Sequence, residues 1–562
     1  MNDLFVIAAG GTGAKVAEAL IHLLAAGCGP KNVHILLVDG DTTNGNRNRS
    51  VQTWMAYQRL QSWPWLVKCE EDHGLSARLF NTNVNAYVLA ERFDDVNQVG
   101  LLPQIMGDRE LEGALRVLLN DSELTSNLSI GFTGRPNLGC LVMDRYLRLH
   151  FTSHPQGRAF LQALETSARP EESNPRVVVV GSVFGGTGAS LLPVVHRCIA
   201  SLFEQPNAQN QPRQHLLAKL RWGKVMQLPY FRPDGGEATE VNTNRHLTDT
   251  SSALWYYGEI TRGNGVEPTY LVGSQSPQAR IIPVAVGGAD QINPAFYHEI
   301  VAALAVLDFY QHPETMDGRP IRHFSDPKAS EQCSLDQLPI PSSERLVVLE
   351  KVATLLHLGA FWINWRSDEA FAYRRGLLQY AKTASLTGWD PRIHNWLNTR
   401  RAELTDQQGP ASQAVDYFAR LLLWATTSLS TYGASGLAFL STDESASSYY
   451  SSLHNTLCCI KRSEICVDEA DKQFQEQNDN IAARLCRVAL AGLVRENASQ
   501  SGKNLRGHSF ALRPLRLVED GARVRIGLPP DRIGSMLASH GVSSGHVNAL
   551  CRNYGLPGQE VK

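Results

Sequence analysis

Three glycine-rich turns carry the residues of this chain that could do chemistry. The most complete is Gly185-Gly186-Thr187-Gly188-Ala189-Ser190. Backbone N–H groups at such a turn, added to the positive end of a following helix, form a site for an anion. Glycine lets those amides approach a phosphate closely and allows the positive φ expected in the turn. The hydroxyls of Thr187 and Ser190 add donors. A second turn, Gly10-Gly11-Thr12-Gly13, repeats the arrangement near the start of the chain. A third spans Thr133-Gly134-Arg135-Pro136-Asn137-Leu138-Gly139, where Arg135 offers fork-shaped donors to phosphate oxygens. Asp39-Gly40-Asp41 supplies acids of the kind that hold a ribose hydroxyl or a nucleotide-bound metal. Taken singly, each turn also reads as a plain connection without a ligand.

The elements that must position these turns are legible as apolar runs. Residues 4–9 and 33–38 and the valine run at 176–181 read as strands buried on both faces of a parallel sheet. A helix is expected over 14–26, with Val16, Ala19, Leu20, Leu23 and Leu24 on one face, closed by Gly27-Cys28-Gly29-Pro30. A second is expected over 191–203. Residues 128–132 read as the end of a strand and 140–149 as helix. The alternation predicts an α/β fold.

At 562 residues the chain is expected to form two to four domains. Its 43% hydrophobic and 19% charged residues are those of a soluble globular protein. A formal charge of −2 leaves no electrostatic footprint for nucleic acid or an anionic membrane. No apolar run reaches the roughly 18 residues of a membrane span, and the opening MNDLFVIAAGG lacks the basic region of a signal peptide. Cys458, Cys459 and Cys466 lack paired CxxC spacing, so reduced thiols and a cytoplasmic location are expected.

Neither standard nucleotide fingerprint fits. After Gly11 and Gly13 the third glycine of a dinucleotide motif is replaced by Val16, and no Gly-Lys-Ser/Thr follows for a P-loop. Gly-Gly-Thr-Gly after the first strand, acids after the second, a Gly/Asn loop, then Phe184-Gly185-Gly186-Thr187-Gly188-Ala189-Ser190 resembles, in that order, the tubulin/FtsZ superfamily. The match covers roughly residues 1–312 and is nearer to the bacterial tubulin-like proteins of unassigned role than to tubulin itself. Phe184 replaces the first glycine of the family's signature loop, and Leu191 follows it where a glycine is common.

The resemblance implies a Rossmann-like, tubulin/FtsZ-type GTP-binding domain over residues 1–318, with a parallel sheet flanked by helices. GTP or GDP, with Mg2+, would be held by Gly10, Gly11, Thr12 and Gly13 and by Gly185, Gly186, Thr187, Gly188, Ala189 and Ser190. Gly134 and Asn137 would lie near the terminal phosphate and Asp39 and Asp41 near the metal or phosphates; residues 224–231 would be the strand and proline turn after the signature helix, with Glu237 or Glu240 then near the ribose and 269–273 the next strand. Asn293 would meet the base, assisted by Phe296; equally, it reads as the cap of a helix over 295–309 with Pro294 at its first position. The family completes hydrolysis with an acidic loop from the next subunit in a head-to-tail assembly. Here that loop offers Asp308, Glu314 and Asp317 without the family's asparagine, which implies slow or absent GTPase activity.

A second resemblance competes. Asp39-Gly40-Asp41, followed by Asn46-Arg47-Asn48-Arg49, is similar to the ATP site of ubiquitin- and sulfur-carrier-adenylating enzymes. It implies metal and phosphate contacts from Asp41, Asn46, Arg47 and Arg49, and leaves the 185–190 turn unexplained. Beyond the first domain, residues 319–343 are polar and proline-rich and read as a linker or extended loop. Residues 344–562 read as a mainly helical region with a small β element: a short strand at 437–440 and a hairpin over 510–517 and 522–528. Trp362, Trp365 and Trp424 are expected in its core. Three functions stay open: a GTP-dependent self-assembling protein, an adenylating enzyme, and a non-polymerising nucleotide-binding scaffold whose second half docks a protein adaptor.

Overall fold

The computed structural model describes residues 2–61, 79–89, 136–206, 212–234, 243–261, 267–274, 281–283, 288, 289, 291–313 and 321–326. It also describes isolated positions between 113 and 132 and at 210, and short stretches within 348–355, 416–428, 440–441, 516–520 and 523–527. The first strand, β1 (Leu4–Ala9), is buried at every position and is an interior strand of a seven-stranded parallel sheet. Its neighbours are β2 (Asn32–Val38) on one side and β4 (Arg176–Ser182) on the other, in registers that set Leu4 beside Val33 and Arg176. With β3 (Asn83–Leu89), β5 (Arg221–Gln227), β7 (Thr269–Ser274) and β9 (Ile321–Asp326), the order is β3-β2-β1-β4-β5-β7-β9, while β6 (Arg232–Asp234) and β8 (Ile281–Pro283) pair separately. The chain winds outward to β3, then returns to β4 beside β1. That reversal opens a crevice at the carboxyl ends of β1 and β4, where ligands of doubly wound sheets bind.

Helices cover both faces. Phe5, Ile7 and Ala9 of β1 and Val177 and Val179 of β4 form one core with α3 (Pro136–Ser153), α4 (Pro155–Ala168) and α6 (Val195–Phe203). The opposite face takes α1 (Gly10–Ala25) and α9 (Tyr297–Gln311), the latter preceded in the chain by α7 (Gln214–Leu217) and α8 (Thr243–Thr261). A Cβ on Gly13 of α1 would lie 2.8 Å from Ala8 C and Val180 O, and one on Gly223 of β5 would lie 2.6 Å from the Phe309 ring. Gly13 is therefore what lets α1 lie against the sheet. Gly13→Ala must push α1 off β1 and β4, and is expected to lower stability by about 1–3 kcal/mol, measurable as a fall in Tm. An unchanged Tm would show that α1 has room to move.

Several local expectations are corrected. Both glycine turns are the first turns of helices: α1 begins at Gly10, and the short α5 (Gly186–Leu191) begins at Gly186. Of their glycines only Gly10 takes a positive φ, +68°, while Gly185 sits at φ −92°. The helix expected over 191–203 is broken at Leu192–Val194, where Pro193 cannot continue the α5 hydrogen bonds. Helix α9 starts at Tyr297, so Pro294 is not its first residue and Asn293 is not its cap. Glu299 Oε2 instead accepts the Phe296 N–H at 2.8 Å. Residues 321–326, expected within a linker, form β9, parallel to β7 along its full length.

The second half is described only in pieces. β11 (Arg516–Asp520) and β12 (Arg523–Gly527) pair as the expected hairpin, with β10 (Leu440–Ser441) added to β12. Trp362 and Trp365 lie outside the described residues. A helical segment at 416–421 docks on α1 and on α2 (Gly45–Gln61): Tyr417 is fully buried against Tyr57 and Phe80, and Arg420 donates to Gln52 at 3.1 Å. His22 Nδ1 lies 3.0 Å from the Tyr417 hydroxyl, and the Trp424 ring stands 4.6 Å from the imidazole. Burial, then Arg49 and Arg420, push His22 down to about 3. The unfolded chain binds a proton below about pH 6.5 that the folded one refuses, so stability falls as pH falls through that window. From pH 6.5 to 5 the loss is expected to be about 2 kcal/mol. His22→Phe should remove that part of the acid sensitivity in calorimetry; an unchanged pH profile would place the loss elsewhere.

No helix among the described residues is long and apolar enough to cross a membrane.

Candidate functional site

The crevice is built from the first turns of α1 and α5, which touch across the gap between β1 and β4. A Cβ on Gly10 would lie 3.1 Å from Thr187 Cβ and 3.3 Å from the Gly188 nitrogen. Neither helix is capped by a side chain, because the preceding residues, Ala9 and Gly185, carry no acceptor. The N–H groups of two helix starts thus converge with no side-chain cap hydrogen bond at either start, although Gly185 N donates to Ser182 Oγ at 3.2 Å. Gly11, Thr12, Gly185 and Gly186 are the partly exposed members and form the mouth; Gly13, Gly188 and Ala189 are buried.

The remaining residues of the second turn have other tasks. A Cβ on Gly188 would lie 2.7 Å from Ser182 N, so this glycine serves the approach of α5 to β4. Ser190 donates to Gly186 O at 2.5 Å and reaches Pro136 O at 3.3 Å, turning its hydroxyl toward α3 and away from the mouth. Thr187 Oγ1 faces Asp39 Oδ1 at 3.3 Å.

Asp39 and Asp41 lie just beyond β2 but differ in state. Asp41 Oδ1 accepts from Thr43 N at 2.9 Å and Thr43 Oγ1 at 2.8 Å, and Oδ2 accepts from Gly288 N at 2.5 Å. Asp39 Oδ1 accepts from Asp41 N at 3.2 Å, whereas Oδ2 is buried with no partner among the described residues. Burial raises the Asp39 carboxyl to about 7, against the pull of the Asp41 N–H. Arg47 donates to Asp41 O at 3.1 Å and Asn48 Oδ1 at 2.8 Å, while its buried Nε has no partner among the described residues.

The asparagines that follow are structural wiring. Asn44 donates to Gln291 Oε1 at 2.6 Å, and its own oxygen accepts from Arg47 N at 3.1 Å. Asn46 and Asn293 form a reciprocal pair: Asn46 Nδ2 donates to Asn293 Oδ1, and Asn293 N donates to Asn46 Oδ1, both at 2.8 Å. The carboxamide oxygen that a guanine N–H would need is therefore already accepting one bond. Arg49 is fully buried, paired with Glu18 Oε2 at 2.8 Å and donating to Asn293 O at 2.7 Å. Asp41, Asn46, Arg47 and Arg49, the residues an adenylating site would use, all hold loops and helices together.

Beneath the mouth lies a buried ion pair that the residue types alone did not point to. Lys15 of α1 meets Glu299 of α9, with both side chains at most 2% exposed. The Tyr230 hydroxyl donates to Glu299 Oε1 at 2.8 Å and lies 3.3 Å from Lys15 Nζ. The ammonium is also within 5.0 Å of the Phe296 ring centre and 6.0 Å of that of Phe231, at cation–π distance. Phe184, just before the 185–190 turn, packs edge-on against Tyr230 and Phe231. Burial lowers Lys15 despite the opposing pull of Glu299. The available signal was an isolated acid in the otherwise apolar start of α9.

Compared with family models, curated proteins and solved structures, the chain matches none.

The remaining expected site residues are not brought to the crevice. Asp308 lies near the far end of α9, where Tyr270 and Arg322 both donate to Oδ2 at 2.6 Å. Eleven residues of α-helix from Tyr297 span roughly 17 Å, so Asp308 belongs to the opposite edge of the sheet. Phe296 is buried and stacked on Phe231 at 5.7 Å between ring centres. Gly134, Arg135, Glu237, Glu240, Glu314 and Asp317 lie outside the described residues, and Asn137 is described only as backbone in the first turn of α3. Among the described residues no group of three or more His, Cys, Asp or Glu could hold a metal ion.

Proposed function

We propose that this chain is a cytoplasmic GTP-binding protein of the bacterial tubulin-like kind that assembles head-to-tail with itself. The observation that carries the reading is the meeting of two uncapped, glycine-rich helix starts across the reversal point of the sheet, in contact at Gly10 and Thr187. Phosphates would lie against the amides of Gly10 to Gly13 and of Gly186 and Thr187, where fixed N–H dipoles favour negative charge; the Gly185 N–H is taken by Ser182 Oγ. Mg2+ fits Asp39 better than Asp41: Asp39 has a buried carboxylate oxygen without a partner among the described residues, whereas both oxygens of Asp41 are engaged. A hard cation with one protein carboxylate, phosphate oxygens and water is the usual magnesium arrangement. When bound it would offset the charge of the triphosphate.

Helix α9 supports the head-to-tail geometry, because it runs from the Lys15 pair beneath the crevice to Asp308 at the opposite edge. Asp308 is buried and engaged by Tyr270 and Arg322, so the acid that would serve the nucleotide of the next copy is Glu314 or Asp317. Any hydrolysis is in-line attack of water on the γ-phosphoryl group, forming the new oxygen–phosphorus bond as the bond to GDP breaks. The second half would dock a protein adaptor.

The test is equilibrium binding of GTP, and separately ATP, to the purified full chain with Mg2+, with light scattering followed in the same sample. GTP-selective binding with rising scatter supports the reading. GTP binding without scatter leaves a nucleotide-dependent scaffold. ATP preference points to adenylation, and no binding to either removes the nucleotide site.

A further inference from the structure

Four aromatic rings are tied to both glycine turns of the crevice. Phe184 is joined by its peptide bond to Gly185 of the mouth, and its ring meets those of Tyr230 at 6.1 Å and Phe231 at 5.6 Å between centres. Phe231 stacks on Phe296, with the two planes 22° apart, and meets Tyr230 at 5.0 Å and nearly at right angles. Lys15, one turn along α1 from Gly11, sets its ammonium 5.0 Å from the centre of Phe296 and 6.0 Å from that of Phe231. The cluster is thus anchored to the second turn through Phe184 and to the first through Lys15.

Phe184, Tyr230 and Phe296 are buried, and Phe231 is the partly exposed member. A half-exposed phenylalanine is ordinary on a protein surface. This one is set apart by its seating. Phe296 covers one face, Phe184 and Tyr230 pack against it at near right angles, and the remainder is aromatic surface that reaches solvent beside the mouth. A ring already fixed by its neighbours loses little freedom when a ligand stacks on it. The residues that the resemblance gives to a base are otherwise occupied. Phe296 lies beneath Phe231, and the Asn293 carboxamide oxygen and backbone N–H are both engaged by Asn46.

We infer that Phe231 is the specificity-determining residue of the crevice: with phosphates at the glycine turns, the planar base they carry stacks on the exposed part of its ring. The inference rests on the anion site proposed above and adds the residue that separates a nucleotide from a bare polyphosphate. Stacking asks only for a π-face on the ligand, so it needs neither Asn293 nor Phe296. No covalent step is involved.

Equilibrium binding to the full chain with Mg2+ tests it, with GTP and inorganic tripolyphosphate as separate probes. Phe231→Leu keeps an apolar cover over Phe296 and removes the π-face, whereas Phe231→Trp enlarges that face. The wild-type chain should bind GTP more tightly than tripolyphosphate. Phe231→Leu should weaken GTP about tenfold and leave tripolyphosphate within about twofold, and Phe231→Trp should hold GTP at least as tightly as the wild type. A merely structural Phe231 would weaken both probes by one factor, or leave GTP unchanged on loss of the ring; either outcome overturns the inference. Tm for each variant separates misfolding from a binding effect, and Phe231→Met, should Phe231→Leu prove unstable, also removes the π-face. A wild-type chain that binds both probes equally overturns the base contact and leaves the anion site standing. One that binds neither overturns the anion site itself.

Discussion

Replacing Gly186 and Thr187 together by alanine is expected to lower GTP affinity ten- to a hundredfold, about 1.4–2.8 kcal/mol. Gly186 is a partly exposed first-turn residue of α5, and a methyl group there would hold a phosphate away from the amides. Thr187→Ala removes the hydroxyl that faces Asp39 and part of the surface that meets Gly10. Alanine suits a helical first turn, so stability should change by no more than about 1 kcal/mol. Calorimetric titration with GTP and Mg2+, alongside a melting curve, separates the two effects. Lost binding with an unchanged Tm assigns the turn to the ligand. Unchanged affinity would make it purely architectural.

The largest stability effect is expected at the Lys15–Glu299 pair. Glu299→Ala leaves a buried ammonium without its carboxylate, and it also deprives Tyr230 and the Phe296 N–H of their acceptor. Breaking one side of a buried pair costs about 3–5 kcal/mol, a fall in Tm of roughly 10 °C for a domain of this size. Lys15→Met should be similarly harmful. Lys15→Met combined with Glu299→Leu should recover much of the loss, because an apolar replacement of both partners leaves no stranded charge. If each single change cost under about 1 kcal/mol, water must reach the pair, and the aromatic enclosure around it would not exclude solvent.

Strands β1, β2 and β4 were readable because each is a short apolar run, and a strand buried on both faces needs little else; β5, Arg-Trp-Gly-Lys-Val-Met-Gln, carries charges and spans 221–227, where the resemblance implied a strand and proline turn over 224–231. Strand β9 was not readable. Its sequence, Ile-Arg-His-Phe-Ser-Asp, is polar because it lies at the sheet's edge, where Ile321 and His323 remain exposed. The start of α9 was misread for a related reason. Asn293-Pro294 has the local look of a cap and first turn, but Asn46 takes the Asn293 side chain and Glu299 caps the helix three residues later. The helical break at Pro193 was legible in principle and was overridden by the apolar period on either side. Trp424 was rightly expected in a core, although the face it packs on belongs to α1.

The local chemistry of the chain dictates the strand–glycine–helix units and the α/β class, since valine runs, glycine pairs and helical periods act between near neighbours. It also marks the two turns as possible anion sites. The folded arrangement alone sets the adjacency of β1 and β4, which brings those turns into contact. It also separates glycines that face the mouth, Gly11 and Gly186, from Gly13 and Gly188, which let helices lie on strands. Likewise, two acids two residues apart end in different states, Asp41 fully bonded and Asp39 with a bare buried oxygen. The physical reason is common to all three. A buried polar atom or a missing Cβ takes its meaning from the atoms across from it in space, and those come from segments up to hundreds of residues away.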